Sequence, residues 1–387
     1  MKIRWAILPA GFFIMLCLGT VYSWSVFRIP LQQKYGFSAL ESGLPFTVLL
    51  VTYALSMAVN GPIIRRYPSR PLLIIGGFLV GLGWFLAGTT QSAILKTLYY
   101  GVITGWGVGL VYGIPLAACT EYFPQHRGLA MGIVLGGFGL SAIVTAPLLQ
   151  AFIATQGISA TFQIMGVLFF ILITLLSFFI PTTTKANTEN PAQRISLRSC
   201  STDPFFQRLW GLYLLGALAG LTAISIASPV GIEMAGQSPE GVASWMALFA
   251  LCNGAGRPLF GFLTDRWGFQ KTATLNYGLI ILASLSSLAI PVFGVPFFVV
   301  SFSLFWFSLG GWLAIAPAVT AQHFEKNLYQ KVYGYVFTAY GTASILGISS
   351  AGMLRDLTGT YRTVFFVTMG GAFLGLLLLW KRGPSVK

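Results

Sequence analysis

Asn253-Gly-Ala-Gly-Arg257-Pro-Leu-Phe-Gly261-Phe-Leu-Thr-Asp265-Arg266-Trp-Gly268 begins inside an apolar run and ends in a charged turn. Arg257 stands within the run, about two helical turns ahead of that turn. A guanidinium in hydrocarbon costs roughly 2.5–3.5 kcal/mol on insertion scales. Such a residue is therefore expected to be functional and to need an anionic partner.

Composition says what surrounds it. The chain has 387 residues, 56% hydrophobic and only 8% charged, with mean hydropathy +0.78. Soluble domains carry about 25% charged residues. A polytopic protein embedded in a lipid bilayer is expected, and water-soluble enzymes drop out. The net charge of +14 would suggest nucleic acid in a soluble chain. Here the basic residues stand in short loops between apolar runs, where they set topology, so no nucleic-acid partner is expected. Cys17, Cys119, Cys200 and Cys252 have no metal-ligand spacing, and no metal or cofactor is expected. The start, Met1-Lys-Ile-Arg-Trp followed by an apolar run, imitates a signal peptide. The run is too long, and no small-x-small cleavage site follows. It reads as the first span.

A membrane-spanning helix needs about 20 mostly apolar residues. Twelve candidates follow, near 6–29, 42–64, 72–90, 97–120, 128–152, 161–181, 209–232, 241–263, 271–291, 295–320, 331–353 and 362–381. All read as helices, because an open sheet edge cannot sit in lipid. The expected layout is an N-terminal six-helix bundle over 1–181, a polar cytoplasmic linker over 182–208, and a C-terminal six-helix bundle over 209–387. The odd loops hold five basic residues, Arg28, Lys34, Lys96, Arg355 and Arg362, and the even loops and termini hold seventeen. That bias is expected to put both termini in the cytoplasm, and the chain is expected in the cell inner (plasma) membrane.

The halves also repeat. A shift of about 200 residues brings Gly61 onto Gly261 and Arg66 onto Arg266. A shift of 202 brings Gly109 onto Gly311, Pro115 onto Pro317, Gly132 onto Gly334 and Gly139 onto Gly341. Two six-helix halves related along the membrane normal is the layout of major facilitator transporters, which bind substrate at the midplane.

Gly261-Phe-Leu-Thr-Asp265-Arg266-Trp-Gly268-Phe-Gln-Lys271 resembles the cytoplasmic loop motif of the major facilitator superfamily. In that family the acid and the bases tie neighbouring helices in one access state. The resemblance implies a gating role for Gly261, Asp265, Arg266, Gly268 and Lys271, although Gln270 stands where a base is usual. The first-half equivalent, Gly61-Pro-Ile-Ile-Arg65-Arg66-Tyr-Pro-Ser-Arg70, has Arg65 in place of the acid. Within the superfamily, Leu18-Gly-Thr-Val-Tyr22-Ser-Trp-Ser-Val-Phe27-Arg-Ile-Pro30-Leu resembles the first helix of the oxalate/formate antiporter family. Asn253 to Gly261 resembles the eighth helix of that family and of the related monocarboxylate transporters.

The resemblance implies that Arg257 binds a substrate carboxylate. It also implies cavity positions for Tyr22, Tyr112, Phe138, Phe337 and Tyr340. Two positions depart from the relatives. Proton-coupled monocarboxylate carriers have an aspartate where Asn253 stands, and dicarboxylate-handling members have an eleventh-helix lysine where Tyr340 stands.

The chemistry agrees with that assignment. A guanidinium gives a carboxylate two parallel charge-assisted bonds and stays charged in an apolar setting. Asn253 is one turn from Arg257 on the same face, where its amide can orient the guanidinium or the ligand. All nine acids fall at span ends or in loops on this assignment. A phenol can donate to a carboxylate and still pack against its carbons. Trp24, Trp106 and Trp312 read as packing or interface residues. His126 and His323 fall at cytoplasmic span ends. Glycines 101, 105 and 109, and 132, 136, 137 and 139, form surfaces for close helix approach.

The leading expectation is a monomeric secondary transporter of small organic anions, monocarboxylates such as formate, lactate or pyruvate. Exchange or facilitated movement is favoured over proton symport. The alternatives are a proton-coupled or efflux major facilitator transporter of another small solute, or a non-transporting membrane sensor. No zinc-type His-Glu cluster, Gly-x-Ser-x-Gly elbow or intramembrane Asp pair points to an enzyme.

Overall fold

The computed structural model describes residues 2–60, 63–64, 67–123, 127–182, 202–324 and 329–380. Gly61, Arg65, Arg66, His126, Cys200 and most of the stretch 182–208 lie outside the described residues. The chain folds as two compact units, Met1–Asn187 and Thr188–Lys387. The division falls inside the polar stretch 182–208.

In the N-terminal unit, α1 is a continuous rod made of Lys2–Gly19, a tight 3-10 turn Thr20–Ser23 and Ser25–Tyr35. Next come α2 (Ala39–Val59) and α3 (Ser69–Thr89). The rod α4 joins Ala93–Lys96, a π segment Thr97–Thr104 and Gly105–Tyr122. The run Arg127–Ser177 breaks at Gly157, where φ is 78°, giving α5 (127–156) and α6 (158–177). In the C-terminal unit come α7 (Pro204–Glu233), α8 (Pro239–Trp267), α9 (Phe269–Leu288) and α10 (Val295–His323). The rod α11 joins Tyr329–Ser344, a π segment Ile345–Ser349 and Ser350–Thr358, and α12 is Arg362–Trp380.

Local chemistry sets the ends. Ser38 and Glu41 form a reciprocal capping box at the start of α2, satisfying two orphan amides. Asp203 caps α7 through the amides of Phe205 and Phe206, with Pro204 in the first turn. Ser238 and Pro239 do the same for α8. Gly36 and Gly359 close α1 and α11 in the left-handed conformation, the usual helix stop.

Nine helices among the described residues are long and apolar enough to cross a membrane. One of them, Ala130–Ser177, is the run that breaks at Gly157. Large apolar side chains such as Phe78, Leu175, Leu282 and Leu377 point outward, which a water-facing surface rarely allows.

The sequence repeat has a counterpart in packing. In the first unit α1 packs on α5, α2 on α4, and α3 on both α4 and α6. In the second, α7 packs on α11, α8 on α10, and α9 on both α10 and α12. Small residues set the α2–α4 spacing: a Cβ at Gly105 would fall 2.7 Å from the Leu49 carbonyl oxygen.

Two cations counted with the loops are fully buried within helices. Arg28 lies within α1, fully buried, and donates to Ser42 Oγ (3.3 Å) and to the Ala39 carbonyl. Lys96 lies in α4, also fully buried. Its Nζ donates to the carbonyls of Ala87 and Thr90, each at 2.6 Å, at the end of α3. The rings of Tyr35 and Phe162 stand 5.0 and 5.3 Å from that ammonium, a cation–π arrangement.

Candidate functional site

Each unit assembles a group of its own. In the N-terminal unit Gly19 makes the geometry possible. A Cβ there would run into the Phe138 carbonyl of α5, so only glycine allows this crossing. Ser141 Oγ donates to the Leu16 carbonyl at 2.7 Å, and the hydroxyls of Ser23 and Thr145 share a 2.8 Å hydrogen bond. The 3-10 turn that follows Gly19 carries Tyr22 onto Phe138, edge to face, with centroids 5.1 Å apart. Phe138 meets Tyr112 of α4 at 5.6 Å, again edge to face. Tyr53 of α2 stands 5.4 Å from Tyr112 and 6.4 Å from Phe138. The structure thus brings Tyr22, Tyr112 and Phe138 together and adds Tyr53, which the sequence reading did not name.

In the C-terminal unit Arg257 is half-buried on α8. It lies ten residues before the last helical residue, Trp267, or roughly 15 Å along the axis. That is about half the thickness of a hydrocarbon core. Its Nη2 donates to Asn253 Oδ1 at 3.4 Å. Asn253 is fully buried, and its Nδ2 donates to the Trp306 carbonyl of α10 at 3.0 Å. The α8–α10 crossing is tight at this point, because Gly310 leaves its Cβ space to the Asn253 carbonyl oxygen. The carboxamide therefore links the guanidinium to a rigid backbone on the neighbouring helix.

Phe337 and Tyr340 of α11 stack on each other at 4.9 Å. Tyr213 of α7 lies 6.4 Å from each ring and 6.1 Å from Trp312. Tyr213 is a second ring missed in the sequence. The shift of about 200 residues sets Tyr213 against Phe13 and not against Tyr22, so the repeat gave no signal for it. Trp312 fills the space beside Gly216, and Trp24 donates from its indole to the Ser42 carbonyl at 2.9 Å. Both are buried packing residues, whereas Trp106 is exposed.

The loop motif is displayed at the end of α8. Asp265 is exposed and accepts from Gln322 Nε2 of α10 at 3.3 Å. Arg266 is exposed, with its guanidinium 5.9 Å from the Phe262 ring, and Lys271 is exposed near the start of α9. Gly268, at φ 79°, joins the two helices, a conformation that disfavours any side chain. A Cβ at Gly261 would only touch Ala314 at an ordinary 4.0 Å. His323 stacks on Phe205 at 3.7 Å and stands 4.0 Å from the Asp203 carboxylate. Among the described residues no cluster of His, Cys, Asp and Glu can hold a metal ion.

The oxalate:formate antiporter of Oxalobacter formigenes is 28% identical, over 97% of this chain and 90% of its own length. Monocarboxylate transporter 12-B of Danio rerio is 24% identical, over 97% of this chain and 86% of its own. A solved structure, a single-residue variant of the nucleoside transporter NupG, superposes with a TM-score of 0.79 at 13% identity. It covers 98% of this chain and 100% of that one. The fold and these relatives are those of membrane transporters. The profile of the Major Facilitator Superfamily matches residues 9–314 and again 222–387, and with the helical rods and their repeated pairing this shows that the chain belongs to that superfamily.

Proposed function

We propose that this chain is a secondary transporter of small organic anions, with Arg257 binding the carboxylate. The substrates in view are monocarboxylates such as formate, lactate or pyruvate. One observation carries the reading: a half-buried guanidinium deep in α8, oriented by the buried amide of Asn253, which is itself tied to the Trp306 carbonyl. A planar fork held this way suits a carboxylate's two oxygens. The relatives whose names specify oxalate, formate and monocarboxylates support the same ligand class. The rings of Tyr22, Tyr112 and Phe138 in one unit, and of Phe337 and Tyr340 in the other, supply phenol donors and apolar walls. Tyr53 and Tyr213 join them.

Exchange or facilitated movement is favoured over proton symport, because the side chain beside Arg257 is a carboxamide and has no proton to relay. In this reading twelve spans keep both termini on one side, the bias of basic residues favours the cytoplasmic side of the cell inner membrane, and a monomer is the working unit. Asp265, Arg266, Lys271, Gly261 and Gly268 form the gating loop.

The test is uptake of labelled carboxylates into proteoliposomes. Arg257→Ala is expected to abolish uptake, a fall of at least about thirtyfold, since a buried charge-assisted contact is worth roughly 2–5 kcal/mol. Arg257→Lys is expected to retain a small fraction, because it keeps the charge and loses the fork. Full transport by a folded Arg257→Ala protein would remove the proposal.

A further inference from the structure

A ligand-sized groove lies away from Arg257, on the surface of the C-terminal unit. The helices α9 and α12 pack together where the Tyr277 ring occupies the Cβ space of Gly375. Tyr277 is anchored there by its hydroxyl, which donates to the Leu212 carbonyl at 2.6 Å. Beside this crossing is a groove of about 620 Å³, lined by Thr274 of α9 and by Phe373, Leu376, Leu377 and Trp380 of α12. Phe373 is 50% exposed, Leu377 71% and Trp380 64%. The Thr274 hydroxyl is already committed to the Gln270 carbonyl at 2.9 Å, so the walls suit hydrocarbon.

One end of the groove is different. Lys271, exposed, precedes Thr274 by three residues and so lies on the same face of α9. Arg208 and Gln270 both donate to the carbonyl of Leu379, the neighbour of Trp380. Neither α9 nor α12 contains an acid. The nearest acid in sequence, Asp265, accepts from Gln322 on α10.

We propose that this groove holds an anionic phospholipid of the cytoplasmic leaflet. An acyl chain runs along Phe373, Leu376 and Leu377, and the phosphate meets Lys271. Basic pockets between membrane helices on the cytoplasmic side take such headgroups, and Trp380, exposed at the end of α12, is a residue type enriched at membrane–water boundaries. A zwitterionic lipid gains the same apolar contact and less from the cations, so headgroup selectivity is the signature. A second copy of this chain is a poorer occupant, because a twofold contact would bring two basic ends together. The site does not depend on the carboxylate reading, and its readout is binding, so the two proposals fail separately.

The experiment is native mass spectrometry of the purified chain with added phosphatidylglycerol or phosphatidylcholine. Retained phosphatidylglycerol is expected to exceed phosphatidylcholine by about fivefold, the worth of one lysine at an anionic surface. Lys271→Gln is expected to bring the ratio near one at unchanged melting temperature, and Lys271→Arg to keep it. A phosphatidylglycerol with a photoreactive acyl chain is expected to label the segment 373–380. Equal retention of both lipids, a preference that survives Lys271→Gln, labelling elsewhere, or a lipid-free dimer would each overturn the assignment.

Discussion

At the scale of single residues, the decisive contact is the amide of Asn253, held between the Arg257 guanidinium and the Trp306 carbonyl. It accepts on one side and donates on the other, which a carboxylate cannot do when ionised. Asn253→Asp is expected to raise KM for a carboxylate substrate by about tenfold or more at neutral pH, the effect of roughly 1.4 kcal/mol. The new charge competes for the guanidinium, and its second oxygen faces the Trp306 carbonyl. Acidification protonates the group, restores a donor toward that carbonyl and lowers KM again. KM measured against external pH checks this; a flat profile at the wild-type value would detach Asn253 from the site. Arg257 and Asn253 were legible in the sequence because a cation in an apolar run is costly and the i, i+4 spacing is local. Arg28 and Lys96 were not. They were counted as loop cations; their carbonyl partners lie across a turn on the adjoining helix, and the rings against Lys96, Tyr35 and Phe162, lie in segments well removed in sequence.

At the scale of elements, the helices were legible from apolar run length, and the described rods begin and end within a few residues of the expected spans. The internal irregularities were not. The π segments Thr97–Thr104 and Ile345–Ser349 and the 3-10 turn Thr20–Ser23 carry no residue type that announces them. Glycine illustrates the limit. Gly19 and Gly132 look alike in sequence, yet a Cβ at Gly19 meets backbone and one at Gly132 meets nothing. Gly19→Leu is therefore expected to force α1 from α5, part Tyr22 from Phe138, and cost about 1–3 kcal/mol as overpacking does. Gly132→Ala is expected to be neutral or slightly stabilising, since alanine is the better helix former. Thermal unfolding of the two variants in detergent checks the contrast. Equal melting temperatures would mean that the α1–α5 crossing relaxes freely.

At the scale of the molecule, the same four helix pairings recur in each unit. A two-unit carrier moves by gating one repeat against the other around a fixed site, and a charge on that site must move through a water-excluded intermediate. An arginine at bilayer depth costs roughly 2.5–3.5 kcal/mol on insertion scales. A carboxylate bound to it offsets part of that cost, and each 1.36 kcal/mol of barrier removed is about tenfold in rate. Loaded carrier is thus expected to reorient faster than empty carrier. Vesicles preloaded with unlabelled carboxylate should take up labelled carboxylate at least about tenfold faster than empty ones. Asn253, having no titratable group, gives no route for a coupled proton, so a pH dye trapped inside should stay steady during exchange. Equal rates in loaded and empty vesicles, with one proton entering per carboxylate, would mean that the return step is driven by protonation at another group and that symport is the working mode.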